Sequence, residues 1–143
     1  MILPSELEIS SSYNEVRRAA GWLRDQVATV LDTVRADDLE LAAVEALTNV
    51  VRHAYFDRAG CPIKLSLQQS PGKLDLVIRD HGVAPPDDLL TRTQPDFDDV
   101  VEEAPETGSG LILIHSCVDE VAIHRSGDEN TLELTIYLPA STS

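Results

Sequence analysis

A chain of 143 residues suits a single domain, 1–143, and 43% hydrophobic with 25% charged residues is close to a globular average. The formal net charge of −14 argues against direct contact with nucleic acid, whose phosphates need Lys and Arg, and disfavours anionic membrane surfaces. A basic protein partner would suit such a charge, and so would plain solubility. Cys61 and Cys117 are far apart and lack ligand spacing, as expected for reduced thiols of a cytoplasmic protein. "MILPSELEIS" has no basic n-region and no long apolar run, so neither a signal peptide nor a membrane span is expected.

"LEIS" (7–10) predicts a short strand. In "SYNE", Ser12 stands three residues before Glu15 as in a capping box, and Val16, Ala20, Leu23, Val27 and Val30 follow at helical spacing. The spacing predicts a helix over about 13–34. Asp37 and Glu40 repeat the start signal for a second helix running to about Tyr55, which "FDRAGCP" breaks. "IKLSLQQ" (63–69) and "KLDLVIRD" (73–80) alternate across "SPG" and predict a hairpin. Residues 83–107 hold four prolines and eight acids against one base, Arg92. That composition predicts a long lid loop with a short helix near 87–91. "GSGLILIHSCVDE" (108–120) resumes as a helix entered through glycines, and "VAIHRS" and "TLELTIYL" form a second hairpin around "GDEN". The order implies an α+β fold with helices packed on one face of a mixed, mostly antiparallel sheet.

Three features carry chemistry. In "EALTNVVRHAY" (45–55), Glu45, Asn49 and His53 recur every four residues, with Arg52 beside them. Glu45 and Asn49 fall about 40° apart around the helix, opposite an apolar arc of Leu39, Ala43, Val44, Leu47, Val50, Val51 and Ala54. Ala42 and Thr48 leave room beside the stripe. A solvated outer face explains this pattern. So does a site in which a carboxylate deprotonates a hydroxyl and an amide oxygen ligates a hard cation such as Mg²⁺. In "IRDHG", Asp80 ends a strand and Gly82 follows; this reads as a turn, or as a carboxylate awaiting an exocyclic amine beside a glycine that lets a base ring approach. In "TGSGL", Gly108 and Gly110 precede Leu111 at a helix mouth, which reads as a lid hinge or as an anion site of backbone amides. No Walker-type lysine follows.

In this order the three features resemble the GHKL-type ATPases, the superfamily of gyrase and the histidine kinases. "AAVEALTNVVRHAY", "LVIRDHG", "GSGLILIHSCVDEV" and "ENTLELTIYL" are similar, more narrowly, to the bacterial anti-sigma factor serine/threonine kinases. That resemblance implies a Bergerat-type ATP-binding α/β sandwich whose lid, about 83–107, closes over Mg-ATP. It implies that Asn49 holds Mg²⁺, Glu45 is the catalytic base, Asp80 binds the adenine amine and Gly82 lines the base pocket. Gly108 and Gly110, with Leu111 following, meet the phosphates, and His53 sits at the edge of the site, where a structural histidine is an equal reading. The implied cofactors are ATP and Mg²⁺. The implied partners are a sigma factor and a STAS-domain anti-anti-sigma factor, switched by phosphorylation of a Ser or Thr on the latter. A homodimer is also expected.

Two departures from the family pattern stand out. Ala84 occupies the second glycine position of D-x-G-x-G, a place where positive φ favours glycine. Glu106 and Thr107 precede G-x-G where relatives often carry Arg, so Arg52 or Arg92 would have to meet the phosphate charge. These leave a second expectation, a regulatory module that sequesters its partner without phosphotransfer. A detached histidine kinase catalytic domain is a third. It lacks a phospho-accepting dimerisation helix here, since His81, His115 and His124 fall in a turn, a helix and a strand.

Overall fold

Alternating apolar residues build the sheet. In the computed structural model, which describes residues 4–85 and 106–139, five strands lie in the order β1-β2-β3-β5-β4. They are β1 (Ser5–Ser10), β2 (Pro62–Ser70), β3 (Lys73–Asp80), β4 (Glu120–Ser126) and β5 (Glu129–Tyr137). All described pairings are antiparallel. The register stacks Leu7, Leu65, Ile78 and Leu132 in one cross-strand row, and Leu67, Leu76, Leu134 and Val121 in another. With period 2, every apolar row points to the same face. The opposite face carries Glu6, Lys64, Ser66, Asp75, Arg79 and Glu133.

Three helices cover the apolar face: α1 (Tyr13–Val27), α2 (Thr33–Asn49) and α3 (Glu106–Cys117). The capping signal at Ser12 is realised, with Ser12 Oγ accepting from Glu15 N at 3.2 Å. Two boundaries differ from expectation. The first helix ends at Val27 rather than near 34, and the second starts at Thr33 rather than after Asp37. Asp32 supplies the cap, its Oδ1 accepting from Arg35 N at 2.8 Å. In sequence Asp37 carries the box partner Glu40, whereas Asp32 is followed at that spacing by Arg35. Starting at Thr33 lets Ala36 and Leu39 enter the core, and frees Asp37 to pair with Arg24 of α1, which also binds Glu40 at 2.9 Å.

α2 is buried on several sides. Ala42, Ala43, Ala46 and Leu47 are each at most 2% exposed, and α3 packs against this helix. Ala42 therefore leaves no room beside the polar stripe; its small side chain sits inside the core. Beyond Asn49 the helix widens into a π-helical turn, Val50–Ala54, in which Tyr55 N donates to Val50 O at 2.9 Å. The helical run thus ends at Ala54 with Tyr55 as its C-cap, at the place where the sequence put its end, about Tyr55. Phe56 and Asp57 then take left-handed φ values of 51° and 61°. α3 begins at Glu106, so Gly108 and Gly110 lie inside its first turns rather than ahead of it. Residues 86–105, most of the expected lid with its short helix and Arg92, lie outside the described residues.

Candidate functional site

A cavity of about 320 Å³ opens where the end of α2 and its π turn meet α3 and one end of the sheet. Asn49 and His53 come from the helix, Asp80 and Val83 from the end of β3, Ile114 from α3 and Leu132 from β5. A mostly apolar wall with a few convergent polar groups is the usual character of a small-molecule site. A larger depression of about 930 Å³ lies on the opposite face of the sheet, among Ser66, Asp75, Arg79 and Glu133. It holds none of Glu45, Asn49, His53, Asp80 or Gly82, and the smaller cavity is the candidate.

The helix-facing side of the sheet turns polar in its last row. Ile63, Asp80, Asn130 and Arg125 stand opposite one another across four strands. Asp80 is 5% exposed. Burial holds its carboxyl above the ordinary carboxylate range, opposed by hydrogen bonds from Asn130 and Gly82 and by the charges of His81 and Arg125. Asn130 Nδ2 donates to Asp80 Oδ1 at 2.8 Å and to Val83 O at 3.0 Å. Arg125 Nη1 donates to Asn130 Oδ1 at 2.8 Å and to Gly82 O at 2.9 Å.

Gly82 is required by its neighbours. A Cβ there would lie 2.5 Å from Ala54 O and 2.7 Å from Ala54 C. The π turn therefore rests directly on the D-x-G backbone, and Val83 N donates to Ala54 O at 2.9 Å. Tyr55 fastens the same junction, its hydroxyl donating to Pro62 O at 2.7 Å and accepting from His81 N at 2.8 Å. Burial raises the Tyr55 phenol above its usual range. What approaches Gly82 is the chain itself, and Gly82 is absent from the cavity wall, where Val83 and Ala84 follow it. Ala84 is not among the residues with positive φ, so alanine carries no backbone strain there.

His53 lines the cavity with a buried Nε2 that has no hydrogen-bond partner among the described residues. Buried polar atoms are seldom left unpaired. Asn49 is half-buried on the same wall. Glu45 is half-buried one turn earlier and lies outside the wall. The structure thus gathers Asn49, His53 and Asp80, and leaves Glu45 beside them. Gly108, Gly110 and Leu111 lie in the first turns of α3. No group of three or more His, Cys, Asp or Glu side chains suited to a metal ion occurs among the described residues. Asn130, Arg125 and Tyr55 escaped the sequence reading. Asn130 sat in what looked like a turn, and only the strand register brings it to Asp80.

The profile of the histidine kinase-like ATPase domain matches residues 9–136. The chain belongs to this family. Over 105 residues the domain is 33% identical to proteins named serine-protein kinase RsbW from Bacillus cereus (strain AH820) and Bacillus thuringiensis (strain Al Hakam). The alignment takes in 71% of the domain and 64% of each relative, so the chain spans under two thirds of their length. Among solved structures, the RsbU and RsbW domains of Rv1364c from Mycobacterium tuberculosis superpose with a TM-score of 0.68 at 20% identity, covering 99% of the domain and 34% of that chain. The mycobacterial sensor histidine kinase MprB superposes with a TM-score of 0.52 at 17% identity, covering 99% of the domain and all of that chain. These two likenesses are of fold. No described helix is long and apolar enough to cross a membrane.

Proposed function

We propose that this domain is an ATP-dependent serine/threonine kinase of the cytoplasm that sequesters a sigma factor. Its substrate is a Ser or Thr of a STAS-domain anti-anti-sigma factor, and it works as a homodimer. The observation that carries the reading is Asp80. Its buried carboxylate is held on one oxygen by Asn130 and Gly82, in a cavity that Asn49 and His53 also line. A carboxylate so placed accepts a hydrogen bond from an amino group, as adenine would offer.

The residues fit Mg-ATP. The apolar wall suits a purine, the orphan His53 Nε2 awaits a partner, and Asn49 offers a hard amide oxygen one helical turn away. A Mg²⁺ ion keeps most of its shell for water and phosphate, so one protein ligand suffices. When bound, it neutralises charge on the phosphates during transfer. Gly108 lies in the first turn of α3, where backbone N–H groups lack a helical partner and can meet an anion, and Gly110 lies in the turn after it. Glu45, outside the wall, takes the proton from the incoming hydroxyl. The new phosphate then breaks the interface with the STAS protein by charge repulsion and desolvation.

A second reading keeps partner sequestration and omits the transfer. The net charge of −14 and the absence of Arg immediately before Gly108 favour it. Calorimetric titration with Mg-ATP should give a Kd near 1 µM, about −8 kcal/mol. Radiolabelled transfer onto a cognate STAS protein should occur with the native domain and disappear in Glu45→Gln, with nucleotide binding retained. Binding without transfer to a verified partner would leave the sequestering module, and no binding would sink both nucleotide-dependent readings.

A further inference from the structure

We infer that Asn130, oriented by Arg125, is the positioning residue that makes the cavity select a base carrying an exocyclic amine. The inference rests on the reading of Asp80 as the base-binding group and extends it to Asn130, which also lines the cavity, and to Arg125, which lies behind it.

The geometry is a relay across three adjacent strands. Arg125 on β4 faces Asn130 on β5, which faces Asp80 on β3. Arg125 has only N–H donors, so the Asn130 oxygen must turn toward Arg125 Nη1, 2.8 Å away. That fixes the amide flip and sends both Nδ2 hydrogens the other way. One goes to Asp80 Oδ1 at 2.8 Å and the other to Val83 O at 3.0 Å. Gly82 N adds a second donor to the same Asp80 oxygen at 2.9 Å. Oδ1 then has both lone pairs engaged. Oδ2 has no donor among the described residues, and Asp80 forms part of the cavity wall. The free oxygen is an acceptor and nothing else. It welcomes an N–H donor and repels a carbonyl oxygen, which separates an amino-purine from an oxo-purine.

Arg125 also holds Gly82 O, and Asn130 holds Val83 O. The turn bearing the next two residues of the cavity wall is thus tied to the same relay. Without Asn130, Asp80 keeps one donor and can rotate, and its acceptor oxygen loses its aim.

The test compares ATP with purine riboside 5′-triphosphate, which lacks only the amine. Isothermal titration on the full chain gives both affinities for native protein, Asn130→Ala and Arg125→Met. Native protein should prefer ATP by about tenfold or more, the worth of one hydrogen bond to a charged group. In Asn130→Ala, ATP should weaken by about that factor and the analogue should not, so the preference approaches one. Arg125→Met should shrink the preference in the same direction, and it decides the matter if Asn130→Ala does not fold. Equal weakening of both nucleotides, or a preference unchanged from native, would overturn the role of Asn130. A native protein that shows no preference would instead overturn the reading of Asp80 itself.

Discussion

The junction between Gly82 and the π turn can be tested by adding one methyl group. In Gly82→Ala the new Cβ would meet Ala54 O at 2.5 Å and Ala54 C and Cβ at 2.7 Å. Non-bonded heavy atoms prefer about 3.5 Å or more, so the turn and the strand end must part by about 1 Å. The atoms in the way are mainly backbone and cannot swing aside. The 2.9 Å bond from Val83 N to Ala54 O spans the same gap and should be lost. Overpacking costs about 1–3 kcal/mol and the hydrogen bond about 1 kcal/mol. At about 3 °C per kcal/mol for a chain of this size, the melting temperature should fall by about 6–12 °C. Gly21→Ala is the control, because that position in α1 has no atom within 4 Å of a new Cβ. It should stabilise the domain by about 0.5–1 kcal/mol. Differential scanning calorimetry on the two variants reads both numbers, and ATP titration reports the cavity. If Gly82→Ala melts within about 2 °C of native, the close approach does not constrain the fold and the reasoning fails.

Asp80→Asn should abolish ATP binding and at the same time raise the melting temperature of the ligand-free domain at neutral pH. Burial raises the Asp80 pKa, so its contribution to stability is full below the unfolded carboxylate value and is lost as pH rises through the folded one. The gain from Asn should therefore shrink on acidification, and a variant that binds ATP normally would contradict the site. Asn49→Ala should bind ATP equally well with Mg²⁺ and with chelator, whereas native protein should bind more tightly with Mg²⁺; a variant that keeps the Mg²⁺ dependence would remove Asn49 from the metal site. Asp32→Ala should cost about 1 kcal/mol as a lost helix cap. Asp37→Ala should cost less, since its ion pair is mostly exposed, and the reverse order in chemical denaturation would move the start of α2.

Much of this molecule was legible in its residues because the signals are local. Alternation in 63–69 and 73–80 specifies strands whatever they pair with, and Ser12 with Glu15 specifies a helix start. The four-residue spacing of Asn49 and His53 put both on one side of a helix, and both reach the cavity wall. The choice between Asp32 and Asp37 as cap was not local. It depended on which start buries Ala36 and Leu39 and lets Arg24 reach Asp37, and those contacts cross from one helix to another.

The sequence by itself determined the strands, the helices, the identity of the carboxylate at the end of β3 and the need for glycine two residues later. Tertiary structure alone decided why that glycine is needed. A base ring was the expected neighbour, and the neighbour is Ala54, brought there by a π turn that helical periodicity does not announce. It alone also placed Asn130 and Arg125 beside Asp80, from 50 and 45 positions along the chain. Strand register is set by the total burial of all the apolar rows at once, so no short motif around Asn130 can state which residue it will face.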